Sequence, residues 1–134
     1  MKTRAMLTLD DCRKISAAAE AEARKNNWNV CIAILDDGGH LLHLVRMDGA
    51  TPANARIATE KGRTAAESRR STAMWEERIK GGRLSMLGMP GVTPVQGGLP
   101  IVVEGICIGG VGVSGVQSHE DEQIAKAGID ALGQ

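Results

Sequence analysis

The stretch from Asn29 to Met47, Asn-Val-Cys-Ile-Ala-Ile-Leu-Asp-Asp-Gly-Gly-His-Leu-Leu-His-Leu-Val-Arg-Met, carries the clearest structural signal in the chain. It begins with a continuous apolar, β-branched run that ends at Leu35, which is typical of a strand covered on both faces. Asp-Asp-Gly-Gly at 36–39 is a turn sequence, and a second strand follows over 40–47. Two strands joined by a tight turn predict an antiparallel sheet at the centre of the fold.

Helices and further strands are predicted on either side of this hairpin. The other predicted elements are helices over 8–26, 51–68 and 72–80, strands over 99–104 and 106–114, and a last helix that Ser118 caps. Thr8 and the pair Thr51-Pro52 are start signals for the first two helices, and Ile57 is expected on the inner side of the second. The Gly- and Pro-rich residues 81–98 predict a lid, a binding loop or an interface segment with room for a short edge strand.

Composition and charge limit the function classes. The chain has 134 residues, 43% hydrophobic and 24% charged, which is typical of one domain spanning 1–134. Its formal net charge is +0 with no basic block, which argues against a nucleic-acid partner. We find neither an apolar run of about 18 residues nor a signal-peptide pattern, and therefore expect a cytoplasmic protein with no membrane partner. Cys12, Cys31 and Cys107 stand among apolar neighbours, which predicts buried, reduced thiols.

The sequence Gly-Val-Gly-Val-Ser-Gly at 110–115 matches a dinucleotide-binding pattern. That interpretation fails, because such a site needs a further strand with an acidic residue about 20 positions on, and only a helix follows here. Gly110, Gly112 and Ser114 instead share one face of a strand, where a helix, another subunit or a ligand can approach the backbone. We expect this bare face, together with the turn at 97–98, to leave a hollow that side chains do not fill.

Charged residues near these strands are candidates for ligand binding. Arg46 ends the second strand, Asp48 lies in the next turn, and Lys61 is in the middle of a helix. Two interpretations are open. In the first, Asp48 forms an ion pair with a cation and the lysine is solvated; in the second, these residues form a cationic pocket for a carboxylate. The predicted ligand-binding residues are Arg46, Asp48, Lys61, Gly97, Gly98, Ser114 and Gly115.

Acidic residues and histidines supply the remaining candidates. Glu120 and Asp121 suit the positive end of the last helix without any function; a metal site is not expected there, because adjacent helix positions diverge by about 100°. If the chain is an enzyme, the catalytic candidates are Asp121, Glu120 and Lys61. His40 and His43 point to opposite faces of a strand and form no metal pair, and we expect His43 to be a half-buried, hydrogen-bonded histidine.

Several segments together resemble one known family. They are Asp-Asp-Gly-Gly-His-Leu at 36–41, Arg-Met-Asp-Gly-Ala at 46–50, Lys-Gly-Arg-Thr-Ala at 61–65, Gly-Gly-Leu-Pro-Ile at 97–101, and Gly-Val-Gly-Val-Ser-Gly at 110–115 followed by Asp121. In order and spacing they are similar to the GlcG/HbpS-like family, which includes the C-terminal domain of PduO-type proteins. The resemblance implies an α+β fold, a profilin-like three-layer α/β/α domain with a five-stranded antiparallel sheet. It also implies homo-oligomers, from dimers to octamers.

The family resemblance leaves three functions open. The first is a small-ligand-binding protein, with haem or a related tetrapyrrole as ligand. Some relatives hold haem through a histidine on the first helix, and that helix has none here. The ligand is then His43, a weak candidate, or a methionine or another residue. The second is a small enzyme acting on a carboxylated metabolite, with Arg46 or Lys61 as the anchor. The third is a non-catalytic oligomeric accessory protein.

Overall fold

The computed structural model describes residues 1–133. The elements are α1 (Leu9–Lys25), β1 (Cys31–Asp36), β2 (Leu41–Arg46), α2 (Pro52–Ser68), α3 (Thr72–Lys80), a short 3₁₀ helix (Leu84–Gly88), β3 (Gly98–Val103), β4 (Ile106–Ser114) and α4 (Ser118–Asp130). This order confirms the α+β class and the central hairpin. Among the described residues, no helix is long and apolar enough to cross a membrane.

The sheet has four strands in the order β2-β1-β4-β3, and all neighbours are antiparallel. The prediction of five strands is therefore wrong. The residues before β3 form the 3₁₀ helix and a series of turns, because closely spaced glycines and prolines do not sustain a strand. β1 and β4 lie in the middle of the sheet, which explains why their sequences are almost wholly apolar.

Helices cover both faces of the sheet. One core contains the odd-numbered residues Val111 and Val113 of β4 and their partners on β1, and it packs against Ile15 of α1 and Ile124 of α4. The second core, on the opposite face, joins Leu35 and its alternate neighbours on β1 to small residues of α2. The protein is thus three layers deep, with α2 on one side and α1 and α4 on the other.

Local signals placed most helix ends correctly. Thr8 caps α1 and Thr51 caps α2, each in a reciprocal capping box with the residue three positions on. Two expectations were wrong. Gln117 rather than Ser118 is the cap of α4, and Ile57 is 38% exposed on the outer side of α2, because that helix turns smaller side chains toward the sheet.

The bare face of β4 is filled by α2. A Cβ atom on Gly110 would lie 2.5 Å from the Gly62 carbonyl oxygen, and one on Gly112 would collide with the backbone at Ala58 and Gly62. The expectation of a hollow here is therefore wrong. The sequence allowed a helix, another subunit or a ligand to approach this face. In the structure it is a helix, and its backbone occupies the space that side chains of β4 would otherwise fill.

Candidate functional site

Lys61 and Asp121 form a buried ion pair. The Lys61 Nζ donates hydrogen bonds to Asp121 Oδ2 and to the Val113 carbonyl oxygen, each at 3.0 Å. Both side chains are only 3% exposed. Lys61 is therefore not the solvated lysine of the simpler interpretation, because it is buried and paired with Asp121.

This ion pair joins the two helical layers across the end of the sheet. Lys61 belongs to α2 and Asp121 to α4, which cover opposite faces. Gly97 makes the crossing feasible, because a Cβ atom there would lie 2.7 Å from the lysine Nζ and 2.8 Å from the Val113 oxygen. At Gly98 a Cβ atom would strike the Lys61 backbone. Both glycines are thus packed around the lysine and line no open pocket.

The surroundings of Asp121 leave it little freedom for catalysis. Its second oxygen, Oδ1, accepts a hydrogen bond from the Val116 N–H at 3.1 Å. Burial raises the pKa of Asp121, and the attraction of Lys61 offsets only part of that effect. Glu120 is also engaged, because its Oε1 accepts the Gln117 N–H at 3.2 Å in the cap of α4. A carboxylate substrate could reach Lys61 only by displacing Asp121.

Of the other predicted ligand-binding residues, Ser114 and Gly115 adjoin this pair along the chain, because Val113 and Val116 on either side of them bind Lys61 and Asp121. Arg46 Nε donates to the Ala50 carbonyl oxygen at 3.1 Å, and Asp48 is exposed in the next turn. Ser114 Oγ accepts a hydrogen bond from Asn54 Nδ2 at 3.2 Å. A Cβ atom on Gly115 would lie 2.5 Å from the Asn29 carbonyl oxygen. In the sheet, Arg46 and Ser114 flank Cys31 of β1 from its two sides.

His43 lies in a different place, a groove between α1 and β2 of about 360 Å³. The groove is lined by Arg13, Ser16, Ala17, Glu20, Ala21, Arg24 and His43. The imidazole is half-buried as expected. Among the described residues, however, its buried Nδ1 has no hydrogen-bond partner, so the expectation of a hydrogen-bonded histidine is wrong for this nitrogen.

Sequence reasoning missed the α1 wall of this groove. Residues spaced three and four apart on a helix share one face, and Arg13, Ala17, Glu20 and Arg24 follow that spacing. Two alanines in the middle of such a stripe leave space, and arginines at its ends carry positive charge. That pattern was visible in the sequence, but only the tertiary structure places His43 opposite it.

A second groove, between α4 and β3, has a volume of about 490 Å³. It is lined by Leu99, Pro100, His119, Glu122, Gln123, Lys126, Ile129 and Asp130. Its single lysine, Lys126, is paired with Asp130 at 2.8 Å, so the carboxylate of Glu122 leaves this groove net acidic. The His43 groove has two arginines against one glutamate, which favours an anionic ligand there. The described residues contain no cluster of three or more side chains suited to a metal ion.

Comparisons with known proteins add independent findings. The profile of a family described as "Haem degrading protein HbpS-like" matches residues 7–130. Protein GlcG of Escherichia coli strain K12 is 50% identical over 114 residues, 85% of each chain. A crystal structure of a Streptomyces reticuli HbpS double mutant has a TM-score of 0.91 at 31% identity, over 100% of this chain and 92% of that one. The crystal structure of a PduOC:heme complex has a TM-score of 0.86 at 27% identity, over 95% of each chain.

Proposed function

Because this chain belongs to the HbpS-like family, we propose that it is a haem-binding protein and that the groove between α1 and β2 holds the ligand. The observation that carries the placement is the half-buried His43 imidazole, which lines this groove. A neutral imidazole is a common axial ligand of haem iron. Since α1 contains no histidine, the imidazole comes from the opposite wall of the groove.

The lining of the groove suits the rest of the ligand. Haem is a flat apolar macrocycle with two carboxylates, and Ala17 and Ala21 offer a surface without bulky side chains. Arg13 and Arg24 can pair with carboxylates, since the guanidinium fork matches that geometry. Their present partners are acids on the same helix, the exposed Asp10 at 3.4 Å and the half-buried Glu20 at 2.9 Å. Ion pairs near the surface of this kind are weak enough to exchange.

The His43 groove also predicts how the ligand is held. Its lining contains no Phe, Tyr or Trp, so the macrocycle would pack mainly against aliphatic side chains. Haem, when bound, supplies an iron centre capable of redox and oxygen chemistry. The protein's part is to bind the carboxylates through the two arginines and to orient the iron through His43.

A hemin titration tests the proposal. We expect a saturable Soret band with the wild-type protein, which His43→Ala abolishes or shifts. His119→Ala, in the acidic groove, and His40→Ala, on an exposed side chain, are matched controls that should leave the band unchanged. Native mass spectrometry of freshly purified protein should show retained ligand. Absence of a saturable band, or its loss in His119→Ala but not in His43→Ala, would contradict the proposal.

A further inference from the structure

The acidic groove between α4 and β3 lies at the opposite edge of the sheet from the His43 groove. β2 and β3 are the two edge strands of the sheet, and each groove is lined by a helix and one of these strands. The volume of the acidic groove, about 490 Å³, is within the range of about 300–1,000 Å³ that is typical of small-molecule sites. It is therefore a second concavity of ligand size, separate from the proposed haem site.

One side of the acidic groove is apolar. Leu99 and Pro100 of β3 and Ile129 of α4 form this side, which we call the apolar wall, and all three are half-buried. Leu99 and Ile129 also pack against the larger core, which holds them in place. No Phe, Tyr or Trp is among the residues that line the groove, so the wall offers aliphatic contacts and no ring for stacking.

Glu122 gives the groove an unpaired negative charge. Its side chain is half-buried, and none of the ion pairs among the described residues includes it. Lys126, which also lines the groove, is held by Asp130 at 2.8 Å. A carboxylate that loses part of its hydration without gaining a cation is unfavourable. A cationic ligand would supply the missing partner without first displacing another group.

The position of Glu122 is not explained by the start of α4. Glu120 accepts the Gln117 N–H in the helix cap at 3.2 Å. Asp121 accepts the Lys61 ammonium at 3.0 Å. These two acids supply the negative charge of the first turn, where the helix dipole favours it, and the effect falls off beyond that turn. Glu122 follows them, so a ligand is a better explanation for its carboxylate than the cap or the dipole.

Gln123 supplies a second acceptor in the groove. Its Nε2 donates to Glu22 Oε2 of α1 at 2.7 Å, which orients the amide and leaves its Oε1 as an acceptor. A carboxylate and an amide oxygen suit a primary ammonium, which has three N–H donors and no acceptor. A quaternary ammonium has no N–H donor and is recognised mainly by aromatic rings, which the lining of this groove lacks.

We propose that the acidic groove binds a small primary amine. Its ammonium pairs with Glu122 and donates to Gln123 Oε1, and its aliphatic stem lies against the apolar wall. Carboxylated ligands are disfavoured, because the unpaired charge of the groove is negative. The two grooves therefore select ligands of opposite charge, and this proposal does not depend on haem binding.

Isothermal titration calorimetry with n-pentylamine at pH 7 tests the proposal. We expect saturable binding to the wild-type protein. Affinity should be about tenfold lower or less for pentanol, pentanoate and pentyltrimethylammonium, since none of them offers a charged N–H donor. From ethylamine to pentylamine, affinity should rise roughly threefold for each added CH₂ group, because the stem buries apolar surface. No saturable binding, equal binding of pentyltrimethylammonium, or an affinity independent of chain length would each overturn the proposal.

Glu122→Gln tests the residue assignment, because the amide keeps the size of the side chain and removes its charge. This variant should bind pentylamine about tenfold more weakly or worse. Glu104→Gln is the matched control, since Glu104 is an exposed carboxylate in the β3–β4 turn, outside the groove, and it should leave the affinity unchanged. With both variants folded by circular dichroism, an unchanged affinity in Glu122→Gln or an equal loss in Glu104→Gln would refute the assignment. The ligand series on the wild-type protein tests the site without any variant.

Discussion

Replacing Lys61 with methionine should destabilise the protein strongly at neutral pH. Methionine can occupy the path of the lysine chain, but it leaves Asp121 buried, 3% exposed, without its cation. Removing one partner of a buried ion pair costs about 3–5 kcal/mol. That loss is large against a typical domain stability of about 5–15 kcal/mol. Urea unfolding followed by circular dichroism at pH 7 measures it directly.

The pH dependence of the Lys61→Met variant distinguishes a stranded charge from a packing defect. Burial already raises the folded-state pKa of Asp121 above its ordinary value of 3.8, and removing Lys61 raises it further. A raised acid pKa favours folding while the group is protonated, and this advantage is lost as pH rises through the folded pKa. The stability difference between wild type and variant should therefore shrink as pH falls toward 4. A difference below about 1 kcal/mol at pH 7, or one that is constant with pH, would refute the reasoning.

The double variant Lys61→Met/Asp121→Leu is the control for this prediction. Replacing both charges by apolar side chains of similar size is often neutral, so the double variant should recover at least half of the lost stability. Full recovery is not expected, because the Val116 N–H then loses the carboxylate that accepts its hydrogen bond. A double variant as unstable as Lys61→Met would show that the alkyl packing of the lysine, and not its charge, is what matters.

Further predictions concern packing and capping. Gly112→Ala should lower the free energy of unfolding by about 3 kcal/mol or more, since its Cβ would strike the α2 backbone. Gly88→Ala, with open space around it, should leave the stability nearly unchanged. Equal urea midpoints for the two variants would contradict this prediction. Thr8→Ala removes the capping box of α1 and should cost about 1 kcal/mol. Differential scanning calorimetry should show a melting temperature lower by about 3–5 °C, and an unchanged value would show that this cap contributes nothing.

The helices and strands that the sequence predicted correctly are those indicated by residues close together in the chain. The hairpin of β1 and β2, the start of α2 at Thr51-Pro52 and the apolar run of β4 all depend on neighbouring residues, so their sequence patterns indicated the elements. The prediction of a short edge strand before β3 was wrong because its outcome depended on distant residues. The sequence indicated that the segment before β3 is irregular. Whether a short piece of such a segment forms a 3₁₀ helix or a strand depends on its contacts with the rest of the fold. Here the decisive contact is the burial of Met86.

The candidate site was harder to predict, because its residues come from distant parts of the chain. His43 was a candidate from the start, yet the α1 stripe opposite it has meaning only once α1 lies against β2. The pairing of Lys61 with Asp121, 60 residues apart, was likewise invisible. Taken alone, Lys61 fitted a solvated lysine, and Asp121 fitted an acidic residue at the positive end of a helix. Neither interpretation required a partner.

By itself the sequence determined the periodicity, the helix starts and the family likeness, since these follow from residues close together along the chain. The tertiary structure alone decided what covers the glycines of β4. A strand face without side chains accepts a ligand, a subunit or a helix equally well, and only the packing of α2 onto Gly110 and Gly112 selects among them. The same packing carries Lys61 past Gly97 to Asp121, so the burial of both charges is a property of the assembled layers and of no single segment.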